Sequence, residues 1–490
     1  MGGPRQNGWS EMRERAGGKL GRVAPSGALV VGLVCFLFAL AFGPVQDSRV
    51  VVGILQWPLF DLYAQTPSRL LATVWLYAVA GIAGFAVDVW LRKRCPHLLV
   101  DYRWVLGAFL VYSLLAAPRL PAFVGARLYV ALSDAMLHGR LSLPASWPDP
   151  LDLTLHNGRY YVPFPPLPAA ALLPFVWIFG TGVNEVFLNV ILAAVNVMLF
   201  RRLLRLLPTG TVEERHWPWL TLLFAFGTPH VYSAVSGEVW YMAHIFVTGL
   251  LLLAFGEALK SKVGWRSGVF LGMAVMCRLT AIFTAVFFLI WSWFQSKGED
   301  SIKSRVRPWI QFGLPIVGAL ALLWIYNYVR FGNGSDFGYT RALLAPAIRE
   351  HMVDGRAFSI HYVVRNVYYS LVSVPLLVDQ FPYLKPNPWG MGLFWVSPAL
   401  LLAFASIRKQ VFPVACWVAV LLTHTFLMFC FPTGWVQFGY RYVLDYLPFL
   451  IVLAGVGGGV WLGKPLRWLT VTSVVLHVYG TVYQIYLVLL

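Results

Sequence analysis

Three stretches of this chain place carboxylates, imidazoles and guanidinium groups at spacings that let them act together. In VGARLYVALSDAMLHGRLSL, Arg127, Asp134 and His138 are separated by seven and four residues, so a helix ended by Gly139 carries them on one face. A carboxylate beside an imidazole and near apolar surface is suited to take a proton from a hydroxyl, because desolvation raises its pKa. The same spacing also describes a solvated stripe with an Asp to His pair. In DPLDLTLHNGRYYVPFPPLPAAALLPF, Asp149, Asp152, His156 and Arg159 lead into Tyr160 and Tyr161, more polar groups than an aromatic anchor needs. His156-Asn157-Gly158 predicts a turn, and Pro163, Pro165, Pro166 and Pro168 predict a stiff extended path. In PTGWVQFGYRYVLDYLPF, Arg441 and Asp445 lie four apart, which predicts an ion pair on one helix face with Gln437 and Tyr440 lining its mouth. Glu238, in SGEVWYMAH, and Arg330, in YNYVRFGNGSDFGY, are further candidates at helix ends.

The solvent for the elements that position these groups is a bilayer. Of 490 residues, 59% are hydrophobic and 12% charged, and the mean hydropathy is +0.68, whereas a soluble chain carries about a quarter charged residues. Apolar stretches near bilayer length recur at 27 to 46, 70 to 91, 104 to 121, 240 to 259 and 309 to 329. The net charge of +17 does not call for nucleic acid, since Lys and Arg in a membrane protein first hold loops in the cytoplasm. With the N-terminus and the clusters at 92–103, 201–215, 260–266, 297–307, 408–409 and 464–467 inside, 24 of 38 basic residues are cytoplasmic. Thirteen face outward, and of these Lys385 is the one lysine. Arginine forks grip phosphate or carboxylate where lysine offers a point charge.

These assignments predict an all-α polytopic membrane protein with about thirteen transmembrane helices and interfacial helices in large outer loops. Residues 1–26 form a basic cytoplasmic N-terminus, and 27–103 hold two additional spans. The core runs from 104 to 460 with outer loops at 122–183, 330–390 and 432–440, and 461–490 make a last cytoplasmic turn and a C-terminal span. Residues 166 to 181 are expected to be a helix in the outer interface. The stretch 267 to 294 has basic loops at both ends, so it predicts two short helices meeting near Arg278, a residue assigned a structural role.

The five cysteines, Cys35, Cys95, Cys277, Cys416 and Cys430, predict no disulfide and no metal cluster. The sequence lacks a Walker loop, a G-x-G-x-x-G after a strand, an H-E-x-x-H and a G-x-S-x-G. ATP-driven pumping and serine hydrolysis lose ground accordingly. No cofactor is expected, and a divalent metal has no D-x-D in the outer loops to support it.

Four stretches, LSDAMLHGRLSL, HNGRYYVPFPPLPAAALLPF, YNYVRFGNGSDFGY and GWVQFGYRYVLDYLPF, carry a resemblance. From about residue 104 to 460 the chain resembles the GT-C superfamily of integral-membrane glycosyltransferases, near the protein O-mannosyltransferase-like branch of bacterial enzymes. The resemblance implies a polyprenyl-phosphate-linked sugar donor, a glycan, lipid or protein acceptor, and a site on the outer face of a bacterial plasma membrane. It also implies an acidic base in the first outer loop of the core. Asp134 is the first carboxylate there, with Ser133 where the family has an acidic partner, and Asp152 is the second candidate. A preorganised cation must meet the leaving phosphate, and Arg441, Arg127 and Arg330 are available for it. His138, His156, Arg159, Tyr160, Tyr161, Glu238, Gln437 and Tyr440 remain as substrate-binding candidates. The alternative is a transporter or flippase of lipid-linked sugar, which would need polar residues accessible on both faces; here they concentrate outside.

Overall fold

The computed structural model describes residues 84, 86–95, 98–117, 119, 127–298, 301–379, 383–407, 410–431, 433–460 and 463–487. The expected basic N-terminus at 1–26 and the apolar stretch 27 to 46 lie outside the described residues. The chain divides into two compact units, residues 1–110 and 111–490. In the first, Asp88 is fully buried and accepts hydrogen bonds from Arg92 Nε at 2.8 Å and Arg103 Nε at 2.7 Å. The helix Leu99–Leu115 (α1) contains the boundary.

The second unit is mostly helical. Its main helices are Leu128–Leu137 (α2), Leu167–Phe179 (α3), Glu185–Leu206 (α4), Trp217–Phe226 (α5), Pro229–Ser236 (α6), Val239–Lys260 (α7), Trp265–Val275 (α8), Ala285–Gln295 (α9), Ile302–Phe331 (α10), Val411–Met428 (α11), Leu447–Val460 (α12) and Lys464–Val482 (α13). Four of these, α4, α7, α10 and α11, are long and apolar enough to cross a membrane.

Local sequence explains many of the ends. Asn184 caps α4 by accepting from Phe187 N at 3.0 Å. Thr228 caps α6 through His230 N, Pro229 fits its first turn, and Gly237 at φ +71° ends it. The predicted turn at His156-Asn157-Gly158 closes a hairpin of Thr154–His156 (β1) and Arg159–Tyr161 (β2), with Asn157 and Gly158 both at positive φ. Two successive left-handed residues are what a two-residue hairpin turn requires.

The stretch 267 to 294 folds as its flanking charges predict. α8 and α9 are separated by a break at 276–278 and a 3-10 segment, Leu279–Thr284. The open ends of this hairpin meet: Gln295 Nε2 donates to the Ala258 carbonyl at 3.0 Å, and its Oε1 accepts from Val263 N at 3.0 Å. Arg278 therefore sits at the far tip. Gly268 lets α8 lie against α10, since a Cβ there would stand 2.2 Å from the Phe312 carbonyl oxygen. Such close backbone approach at small residues is how helices associate where no hydrophobic drive exists.

Candidate functional site

The tip of the α8–α9 hairpin, the start of α7 and the segment before α12 converge on two arginines, Arg441 buried and Arg278 half-buried. Arg278 grips Asp445, its Nε lying 2.7 Å from Oδ1 and 3.0 Å from Oδ2. His244 Nδ1 on α7 is 3.1 Å from the same Oδ1, and the Thr280 hydroxyl donates to Oδ2. With Asp445 at 0% exposure, four contacts satisfy its carboxylate completely.

Arg441 is arranged differently. The expected Arg441–Asp445 pair does not form, because residues 441–445 are a 3-10 turn rather than an α-helix. At three residues per turn, position i+4 stands about 120° away from position i. Arg441 Nη1 instead donates weakly to Gln437 Oε1 at 3.3 Å and the Trp435 carbonyl at 3.4 Å, and its buried Nε has no partner. Among the described residues no carboxylate makes an ion pair with it. Its guanidinium lies over the rings of Tyr241 and Tyr442, each 5.2 Å away, and Tyr442 also receives Arg278 at 5.0 Å.

Two carboxyls stand within electrostatic reach of Arg441: Asp152 and Glu238. Burial pushes Asp152 up to about 6 against the downward pull of Arg441, with Asp149 adding to the rise. Burial likewise holds Glu238 above the usual carboxylate range against Arg119 and Arg441. Arg119 Nη1 lies 3.6 Å from Glu238 and donates to the Ser236 carbonyl at 3.1 Å. Asp152 occupies the left-handed region at φ +61°, a conformation Asp tolerates better than most residues. Its backbone N–H donates to the Leu343 carbonyl at 2.8 Å, and Leu343 N returns a bond to the Leu153 carbonyl, so the two long loops fix it jointly.

The loop carrying Arg441 is held from behind. Tyr232 and Tyr241 hydroxyls both donate to the Val436 carbonyl, at 3.0 and 2.5 Å. Val436 is at φ +49°, strained for a β-branched residue, and this pair of bonds holds it there. Gln437 and Tyr440 are buried rather than lining a mouth. Gln437 gives its amide to the Trp389 and Thr433 carbonyls, leaving its oxygen for Arg441.

A second cluster adjoins. Arg330 is buried, donates to the Val162 carbonyl at 2.7 Å and Asn327 Oδ1 at 2.6 Å, and stacks over Tyr326 and Phe331. His156 lies 2.9 Å from Arg341 Nη1 and packs edge-on against Phe331, as does Tyr161. Tyr339 falls within electrostatic reach of Arg278, Arg330 and Tyr442, which joins the two clusters. Tyr160 is half-buried, its carbonyl accepting from Leu143 N, and Arg159 is exposed at the hairpin.

Other expected residues are not brought in. Asp134 is part-exposed, and among the described residues its only ionic neighbour is His138 at 3.7 Å, itself largely exposed. Arg127 precedes α2 and donates to the Thr181 carbonyl at 2.5 Å. Arg119, Tyr241, His244 and Arg278 are members that the loop-centred reading of the sequence passed over. A signal existed: Glu238, Tyr241, His244 and Thr248 fall three, three and four apart along α7, a polar stripe on a bilayer-length helix.

Fold and site together define a mostly helical protein with membrane-length apolar helices and, at one end of them, a buried cluster of arginines, carboxylates and tyrosines. Comparisons of the chain with models of protein families, with curated proteins and with solved structures find no match.

Proposed function

We propose that the chain is a GT-C-type membrane glycosyltransferase that moves a sugar from a polyprenyl-phosphate donor to an acceptor hydroxyl on the outer face. The observation that carries this reading is Arg441, a buried guanidinium with its Nε unengaged and no carboxylate in contact among the described residues, within electrostatic reach of the Asp152 carboxyl. An uncompensated buried cation costs several kcal/mol, and an anionic ligand removes that cost. A phosphate is the planar fork's natural partner.

The step is a single displacement. Asp152 takes the acceptor's hydroxyl proton, the acceptor oxygen bonds to the anomeric carbon, and the bond from that carbon to the phosphate oxygen breaks. The electron pair leaves on the polyprenyl phosphate, whose added negative charge Arg441 offsets. Inversion follows from one displacement. A carboxylate with a pKa of about 6 is ionised at neutral pH yet remains basic enough to accept a proton, the match a general base requires. Glu238, paired with Arg119, lies within electrostatic reach of the same arginine and serves the acceptor or the sugar hydroxyls. The full topology belongs to this reading: about thirteen crossings, with short helices such as α8 and α9 entering and returning, and α3 lying in the outer interface. Radiolabelled sugar transfer from a polyprenyl-phosphate donor in detergent tests it, against flipping assayed in vesicles. Flipping without transfer would replace the enzyme with a transporter.

A further inference from the structure

Residues 357–378, AFSIHYVVRNVYYSLVSVPLLV, run 22 residues with no carboxylate and with His361 and Arg365 as their only basic groups. That is close to the length and composition of a bilayer crossing. The chain does not use it as one. It folds as the short helix Val363–Val367, a π turn at Tyr368–Val372 and a strand pair, Leu376–Leu377 with Leu384–Lys385. The two helical pieces, five residues each, rise at most about 15 Å at ~1.5 Å per residue, half the depth of a hydrocarbon core.

Its amphipathicity is the reverse of that of a loop in water. The polar side chains turn inward: Asn366 donates to the Met428 and Cys430 carbonyls at 2.9 and 2.8 Å, the Ser373 hydroxyl donates to the Gly390 carbonyl at 3.0 Å, and the Arg365 guanidinium lies over Trp389 at 5.2 Å. The apolar side chains turn outward. Ile360, Val364, Tyr368 and Val372 recur every four residues on one uncovered face, Val364 being 81% exposed, and Leu377 follows in the strand at 83%. Of the exposed residues between 357 and 378, His361 alone is neither aliphatic nor a Phe or Tyr.

What covers this face follows from where it continues. The half-exposed Phe358 packs its ring against Phe426 and Phe429, centroids 5.1 and 5.4 Å away, at the close of α11. Ser359 N donates to the Phe429 carbonyl and Phe431 N to the Ala357 carbonyl, both at 2.9 Å. α11 is long and apolar enough to cross a membrane, and Leu422, exposed on it, shares a face with Phe426 and Phe429 through spacings of four and three. The uncovered face of the segment thus extends the uncovered side of a membrane-length helix. Backbone groups beside lipid need partners within the protein. Ser373 N donates to the Tyr368 carbonyl at 2.7 Å, Val378 N to the Tyr383 carbonyl at 3.0 Å, and Pro375 has no N–H to satisfy. Tyr383 and Lys385, both exposed, are the aromatic and basic types that suit the headgroup level. We infer that the exposed face of residues 358–377 is immersed in the acyl chains of one bilayer leaflet, so that this segment enters and leaves the membrane on the same side. Its inward side reaches Gly390 beside Trp389, whose carbonyl accepts from Gln437 at 2.9 Å, and so it holds the Arg441 loop at the membrane surface.

Photo-cross-linking of the full chain in vesicles of phosphatidylcholine and phosphatidylglycerol tests this, with p-benzoylphenylalanine placed in turn at Val364, Leu377 and Glu350. All three positions are exposed, so the probe displaces no packed side chain. At Val364 and Leu377 the intact chain gains the mass of one phospholipid on irradiation, and at Glu350, outside the apolar stretch, it does not. Cross-linked dimers at Val364 and Leu377 would make the face a contact between copies of this chain, and no adduct at either would leave it in water. Either result overturns the inference, as does a lipid adduct of equal yield at Glu350.

Discussion

Arg278 and Arg441 share one aromatic ring, Tyr442, and differ in almost everything else. Arg278 has a carboxylate in bidentate reach, and that carboxylate is further satisfied by His244 and Thr280. Arg441 has two long bonds from one nitrogen and a buried Nε with no partner. A guanidinium whose partner is built into the fold locks elements together; one whose partner is not built in is prepared for a ligand. The charge is the same at the two positions, and the inventory of partners separates scaffold from site.

The largest effect should follow from breaking the engaged pair. Asp445→Ala leaves the half-buried Arg278 uncompensated, at a cost of up to about 3–5 kcal/mol, so the full chain should lose folded yield and thermal stability. Replacing both, Arg278→Met with Asp445→Leu, should restore much of that loss, and a double-mutant cycle would measure the coupling. If the double variant is as unstable as Asp445→Ala, the pair is not the lock described here.

Arg441→Ala should leave the fold intact, because no carboxylate depends on it for an ion pair, while donor binding and transfer fall. Arg441→Lys should recover part of the binding, since a point charge replaces a fork. Full recovery in Arg441→Lys would reduce the role of Arg441 to charge alone.

Asp152 sharpens the comparison through pH. Its folded-state value of about 6 lies above the ordinary 3.8. The protonated form is thus favoured by folding, and the stability it contributes is present below pH 4 and lost as pH rises through 6. Asp152→Asn should therefore be more stable than wild type at pH 8, by about 3 kcal/mol, while transfer falls a hundredfold or more, an estimate of about that order for loss of a general base. Wild-type transfer should decline as pH drops below about 6. A variant that loses both stability and activity would make Asp152 structural.

The smallest effect is expected at Asp134, where Asp134→Asn removes only a part-exposed neighbour of His138 and should change transfer by less than about twofold. A dead Asp134→Asn with active Asp152→Asn would transfer the base to the residue that comes first in the loop.

What the sequence made legible divides along physical lines. Charge at both ends of 267 to 294 was enough to predict the returning hairpin, and the Asn-Gly pair was enough for the turn at 157–158, because both rest on local rules. Helix spacing placed Asp134 beside His138 correctly, but proximity along one helix carries no information about what a third element brings near. Asp152 is buried and held in place through Leu343, nearly two hundred residues away, which no local pattern records. The Arg441–Asp445 pair failed because an α-helical period was applied to a 3-10 turn. Arg278 was passed over as structural; it is structural, yet it supplies half of the contrast by which Arg441 is recognised.

The most direct test of that contrast is binding of a polyprenyl phosphate to the detergent-purified chain, measured by native mass spectrometry for wild type, Arg441→Gln and Asp152→Asn. If Arg441 is the phosphate receptor and Asp152 the base, wild type and Asp152→Asn retain the lipid equally and Arg441→Gln loses it. Equal retention by all three, with Arg441→Gln folded, would contradict the assignment of Arg441 and with it the proposed site.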